Sequence, residues 1–231
     1  MAGDADAAPS FVIRRGTTVD ATAAARLHAE QITTGFLSFL GPKFLERLYR
    51  RVVRWEGGLL LVAVDQGAGT EAVVGFIAGA SPTSALYRQF LIHDGVAAAL
   101  GTVGPLLRSW RKVLETLRHG TTSGPGVGRG PEVLSIAVDD GFQGNGLGAA
   151  LVRGFIDAII ADGTAETYIV IAQDNEPSLA LFERCGFVPA EVFELHAGTT
   201  SVVLQWDHPS EDDSPECDSS RPESEQSSPP S

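Results

Sequence analysis

Apolar and polar positions alternate with two different periods along this chain. Residues 11–15 (FVIRR) form a short strand pattern, and residues 59–65 (LLLVAVD) and 72–80 (AVVGFIAGA) form two more around the glycine-bearing loop QGAGTE. Residues 133–138 (VLSIAV) and 167–173 (TYIVIAQ) read as a fourth and a fifth strand. FVPAEVFELH and TTSVVLQW read as a final pair around a turn at Ala197-Gly198. Between them the period lengthens to that of a helix. One alanine-rich helix follows Thr17 or Thr18 as candidate N-caps. A second starts at Pro42 and repeats Phe44, Leu45, Leu48, Val52 and Trp55 on one face. Two further helices are expected over residues 146–161 and 175–186.

Hairpins at both ends and one strand–helix–strand unit in the middle predict a mixed α/β (α+β) fold. Its sheet is mostly antiparallel, with helices on its faces. Residues 81–131 interrupt the pattern with about fifty positions that hold no strand, too long for a bare loop. They read as a helical insertion between the third and fourth strands, broken near Asp94-Gly95 and Gly104-Pro105. Its apolar positions, including Leu86, Phe90, Leu91, Leu106, Leu107 and Trp110, suffice for a lid over a site or a homodimer contact.

Composition narrows the picture. The chain has 231 residues, 43% hydrophobic and 20% charged, which is ordinary for a globular protein. The net charge is -12; residues 208–231 carry -6 of it and the first nine residues -2, which leaves -4 for residues 10–207. A near-balanced body argues against nucleic acid as the main partner. Residues 1–9 and the acidic Ser/Pro-rich stretch 208–231 hold too little apolar surface to offset their ordering entropy, and are expected to be disordered around one domain at 10–207. With no apolar run of 18 residues no membrane span is expected, and MAGDADAAPS, without a basic residue or an apolar core, is not expected to act as a signal peptide. Only Cys185 and Cys217 occur, which suits a reducing cytoplasm. No metal site is expected from five scattered histidines, and hydrolase and phosphate-loop signatures are missing.

The chemistry-bearing stretch is DDGFQGNGLGAALVRG, residues 139–154, between a strand and a helix. Gly144, Gly146 and Gly148 let the backbone approach a ligand, and the start of the helix favours an anion such as a pyrophosphate. GNGLGA fits the G-x-G-x-x-A dinucleotide fingerprint. DDGFQ, however, separates that fingerprint from the strand end, and a hairpin rather than more parallel strands closes the chain.

The same stretch resembles the acetyl-CoA loop of the GNAT family of N-acetyltransferases, Q/R-x-x-G-x-G/A, with QGNGLG at residues 143–148 filling every specified position. NEPSLALFERCGF resembles that family's second motif through Asn175, Ala180, Leu181, Gly186 and Phe187. The resemblance is clear over residues 133–187 and extends more weakly over residues 11–80. It implies acetyl-CoA as cosubstrate, with Ile136, Val138, Gln143, Gly144, Asn145, Gly146, Leu147, Gly148 and Asn175 binding it. It also implies direct attack on the thioester by an amine of a small-molecule or peptide acceptor. In the family a tyrosine often protonates the leaving thiolate, but here that position is Phe182. A carboxylate that some members carry on the fifth strand falls near Val170. No acid or base therefore carries over, and a coenzyme-binding regulatory module without transfer activity stays open beside the enzyme.

Remaining polar residues have ordinary readings as well. Glu30, close to where the family builds its acceptor site, is otherwise a solvated helix charge. Ser135 alternates with Val133 and Ala137 on a strand face that borders the acceptor side, or is filler. Both stand as candidate catalytic residues. His28 and His93 read as surface or half-buried histidines, Tyr49 as packing, and Cys185 as a small buried hydrophobe.

Overall fold

The computed structural model describes residues 11–33, 37, 41–67, 71–93, 130–195 and 199–208. The elements run β1 (Phe11–Arg15), α1 (Ala21–Gln31), α2 (Pro42–Arg54), β2 (Gly58–Asp65), β3 (Ala72–Ala80), α3 (Thr83–His93) and β4 (Glu132–Val138). A 3-10 turn (Asp140–Phe142) follows, then α4 (Leu147–Ala161), β5 (Glu166–Ala172), α5 (Glu176–Arg184), β6 (Val188–Leu195) and β7 (Thr199–Asp207). The strands form one seven-stranded sheet in the order β1-β2-β3-β4-β5-β7-β6. Every neighbouring pair is antiparallel except β4 and β5, which are parallel. This is the mixed, mostly antiparallel sheet flanked by helices that the sequence pattern predicts.

The alternation in β2 shows why helices cover both faces. Leu59, Leu61 and Ala63 enter one core, with Leu147, Leu151, Phe155 and Ile159 of α4 and Phe182 of α5. Leu60, Val62 and Val64 enter the other, with Ala24, Ala25 and Leu27 of α1 and Leu45, Tyr49 and Val52 of α2. Each large side chain so buried contributes roughly 1.5–3 kcal/mol. Alanines on the inner face of α1 keep that helix close to the sheet.

Two expectations are corrected here. α1 begins at Ala21, and neither Thr17 nor Thr18 caps it; its N-cap position is Asp20, whose side chain also leaves the helix uncapped. The Asp20 carboxylate instead accepts both guanidinium N–H groups of Arg14 at 2.9 Å and the backbone N–H of Thr17 at 2.7 Å. The Arg14 hydrogen bonds hold this carboxyl down at about 2. The second correction concerns β4. Ser135 pairs with Ala78 and Val133 with Gly79, so Leu134 is an extra residue, a β-bulge. The bulge flips the alternation: Val133 packs in the α4 core, whereas Ser135 and Ala137 face α1 and α2.

α3 covers Thr83–His93, and the break read at Asp94-Gly95 falls outside the described residues. The rest of the expected insertion, residues 94–129, lies outside the described residues, as do residues 1–10, the turn at 196–198 and residues 209–231.

Candidate functional site

β4 and β5 pair at only two positions, Glu132 with Tyr168 and Val133 with Ile169. Both strands continue beyond that point, β4 to Val138 and β5 to Ala172. β4 stays with β3 as far as Val138–Gly75, while β5 stays with β7 as far as Ala172–Ser201. The sheet therefore splits into two halves that diverge toward the C-terminal ends of β4 and β5. Over Leu134–Val138 the edge of β4 has no strand partner on its β5 side, about 16 Å of extended backbone.

The glycine loop lies at the open end of that split. Gly144 and Gly146 have φ of 77° and 79°, and a Cβ at either would meet no atom within 4 Å. This left-handed backbone is where glycine costs least. Gly146 is the N-cap of α4, so no side chain caps the helix, and its first turn carries no acid. The first helical bond runs from Ala150 N–H to Gly146 O, which leaves the N–H groups of Leu147, Gly148 and Ala149 directed out of the helix start. Uncapped donors, the positive end of the helix dipole and open space above two glycines suit a phosphate-bearing ligand.

Other residues singled out in the sequence have distinct tasks. Gln143 is tied down: its Nε2 donates to Val138 O at 3.0 Å, Asp140 Oδ1 at 3.0 Å and Gln31 Oε1 at 3.1 Å. It thus links the loop to β4 and to the end of α1. Asn145 is exposed beside the two open glycines. Ile136 and Val138 turn their side chains into the α4 core, so what they present to the split is backbone. Leu147 likewise buries its side chain. Gly148 differs from the other two glycines. It lies inside α4, and a Cβ there would stand 3.3 Å from Leu181 Cδ2 of α5. Helix packing alone therefore accounts for a glycine at this position. Asn175 caps α5, its Oδ1 accepting from Ser178 N at 3.2 Å.

A seam of buried polar side chains lies on the sheet face toward α1 and α2. His28 of α1, Tyr49 of α2 and Ser135 of β4 form one hydrogen-bonded chain: His28 Nδ1 is 2.5 Å from Tyr49 Oη, which is 2.7 Å from Ser135 Oγ. All three are buried, and burial holds the His28 imidazole down at about 4 and raises the Tyr49 phenol. His28 Nε2 is buried without a hydrogen-bond partner. At the closed end of the split, Tyr168 Oη donates to Glu132 Oε2 at 3.3 Å, and burial, followed by the Glu132 charge, raises the Tyr168 phenol.

Pattern reading placed His28 and Tyr49 among ordinary residues and passed over Glu132 and Tyr168. A glutamate that opens an apolar strand reads as a solvated boundary. Its one signal is the lone charge directly before an otherwise apolar strand. Glu30 stands apart from the seam: it is exposed and pairs with Arg26 at 2.6 Å. His93 is exposed at the end of α3. Cys185 is half-buried, its thiol pushed up by burial, with Sγ 4.0 Å from the Ala149 carbonyl. Phe182 is fully buried and packs edge-on against Phe187, with ring centroids 5.0 Å apart. Among the described residues no three His, Cys, Asp or Glu side chains gather as a metal site, and no helix is long and apolar enough to cross a membrane.

The profile of the Acetyltransferase (GNAT) family matches residues 25–187. A mycothiol acetyltransferase of Kocuria rhizophila is 38% identical over 72 residues, 30% of this chain and 24% of that protein. The [ribosomal protein bS18]-alanine N-acetyltransferase of Escherichia coli is 34% identical over 68 residues, 29% of this chain and 46% of that protein. The chain thus spans between about a quarter and about half the length of these curated relatives. Among solved structures, the Escherichia coli ribosomal-protein-S18-alanine N-acetyltransferase superposes with a TM-score of 0.53 at 16% identity, covering 86% of this chain and 94% of that one. NAA60 of Arabidopsis thaliana in complex with acetyl-CoA superposes with a TM-score of 0.55 at 14% identity, covering 86% and 98%. At such identities these two likenesses speak to the fold alone.

Proposed function

The chain belongs to the GNAT family of acetyltransferases, and from that premise we propose that it moves an acetyl group from acetyl-CoA to a primary amine. The observation that carries this reading is the strand split opening directly onto the uncapped start of α4. The amides at the start of α4 and the open backbone at Gly144 and Gly146 fit the coenzyme pyrophosphate. The unpaired backbone edges of Leu134–Val138 on β4 and of residues 170–172 on β5 suit the amide-bearing pantetheine arm, as an added strand would pair there.

When bound, acetyl-CoA supplies the acetyl group as a thioester; the amine nitrogen bonds to its carbonyl carbon as the C–S bond breaks, and the thiolate leaves with the electron pair. The chain contributes first by holding both partners in line. An ammonium must also lose a proton before its nitrogen can attack. Glu132, buried at the closed end of the split, is the carboxylate that serves as that acceptor through an intervening water, with Tyr168 orienting it. Phe182 has no proton to give, so the coenzyme departs as thiolate, which a thiol's ordinary acidity permits, and the second proton that the nitrogen sheds on becoming an amide passes to that thiolate or to water.

A dinucleotide reading asks for a run of parallel strands around the glycine loop. Among the described strands only β4 and β5 run parallel. The acceptor is left as an amine of unspecified identity, because each curated relative is matched over only part of its length. Calorimetric titration with acetyl-CoA and with NAD tests the coenzyme; binding of NAD and not acetyl-CoA overturns the proposal. Thiol release over a panel of amines tests transfer. Coenzyme binding with no amine raising thiol release above the amine-free control would favour a regulatory module, the reading that Phe182 and Val170 support.

A further inference from the structure

The His28–Tyr49–Ser135 chain has a direction, and the direction assigns Ser135 a role. Neutral imidazole carries one proton, on either nitrogen. Nε2 of His28 is buried and has no partner. An orphaned buried N–H is rarer than an orphaned lone pair, so the proton belongs on Nδ1. Nδ1–H then donates to Tyr49 Oη, and the Tyr49 O–H donates to Ser135 Oγ. With its oxygen so engaged, Ser135 keeps its own proton, for which no acceptor exists among the described residues. A buried hydroxyl with an uncommitted donor is costly unless a ligand answers it.

Its location says which ligand. Ser135 follows the Val133–Ile169 rung by two residues and is the one polar side chain on the stretch of β4 without a β5 partner, Leu134–Val138, on the sheet face toward α1 and α2. The opposite face of β4 there is filled by Ile136 and Val138 packed on the α4 core. The split begins at the anion-binding loop and closes at this point, so a thioester arm anchored at the loop would bring its acyl end here. We propose that Ser135 donates its hydroxyl hydrogen bond to the carbonyl oxygen of the acyl group being transferred, with Tyr49 and His28 as positioning residues that keep it a donor. The inference rests on the acetyl-transfer reading. No proton changes owner at Ser135. The hydrogen bond strengthens as electron density moves onto the carbonyl oxygen during nitrogen–carbon bond formation, and relaxes as the C–S bond breaks and the carbonyl returns. The ammonium proton leaves by the separate route through water to Glu132.

The test needs no acceptor. Isotope-edited infrared spectra of acetyl-CoA labelled with carbon-13 at its carbonyl, bound to the full chain, report hydrogen bonding to that oxygen directly. In Ser135→Ala the carbonyl band should move to higher frequency while calorimetric affinity for acetyl-CoA falls by no more than about 10-fold. Tyr49→Phe, which keeps the ring and its packing, should move it part of the way, and the double variant no further than Ser135→Ala alone. With any amine that supports turnover, Ser135→Ala should lose about 10- to 100-fold in kcat with KM for acetyl-CoA little changed, the behaviour of a lost donor to developing charge. An unchanged band in both single variants, with binding intact, overturns the proposal for Ser135 and leaves the coenzyme assignment standing. Failure of the wild-type chain to bind acetyl-CoA overturns both.

Discussion

Val133 on β4 and Ile169 on β5 form the last rung at which these two parallel strands stay in register. Everything toward the loop is strand edge without a strand partner across the split. Edge amides exchange readily unless something pairs with them. Hydrogen exchange followed by mass spectrometry should therefore show protection of residues 134–138, 143–149 and 170–173 when acetyl-CoA is added. The amides of β1 and β2, already paired, should not change. Protection confined to other elements would remove the split from the coenzyme site.

Gly146→Asp separates binding from folding. The residue sits at φ 79°, ψ 0°, a conformation that Asp tolerates better than most side chains, and its Cβ meets nothing within 4 Å. As an N-cap, aspartate exceeds glycine by only a few tenths of a kcal/mol, and the left-handed backbone strains any side chain at this position. Here it would also put a carboxylate where the pyrophosphate is expected. The variant should stay folded, melting at most a few degrees below the wild type, and lose at least 10-fold in acetyl-CoA affinity by calorimetry. Normal binding by a folded variant would dissociate Gly146 from the anion site.

Gly148 should respond in the opposite way. A Cβ there already stands 3.3 Å from Leu181, and a valine would drive two more carbons into α5. Gly148→Val should lose about 1–3 kcal/mol in urea denaturation, the usual cost of overpacking. Adding Leu181→Ala should recover part of it, a coupling that a double-mutant cycle reads directly. Additive losses would show that the two residues do not press on each other.

His28 makes stability depend on pH. Its folded value is about 4, below the ordinary 6.5, because burial opposes the charged ring. Between those values the unfolded chain binds a proton that the folded chain does not. The stabilisation is thus present above pH 6.5 and is lost as the pH falls through 6.5 toward 4. The full loss is on the order of 3 kcal/mol. Chemical denaturation at pH 7 and pH 4.5 should show a smaller drop in His28→Phe than in the wild type. Equal drops in both would mean that His28 is charged in the fold.

How far the sequence reaches is clear from particular elements. The apolar run of β2 and β3, the helical stripe of α2 and the glycine loop before α4 were each legible, because strand and helix periods and glycine backbone freedom are properties of neighbouring residues. Helix starts were less so. Thr17 looked like a cap, but Arg14 and Asp20, six residues apart, form the ion pair that closes this turn.

The sequence by itself determined the order of strands and helices, the glycine loop at residues 143–148 and the family. Tertiary structure alone decided where β4 and β5 part, that Leu134 bulges and so turns Ser135 toward α1 and α2, and that Gly148 serves the contact between α4 and α5. It also joined His28, Tyr49 and Ser135, the last two 86 residues apart, into one buried chain. The reason is physical. A bulge or a split exists only relative to a partner strand, and a buried hydroxyl takes its direction from whatever donor the packing brings within 3 Å. Neither quantity is written in the spacing of residues along the chain.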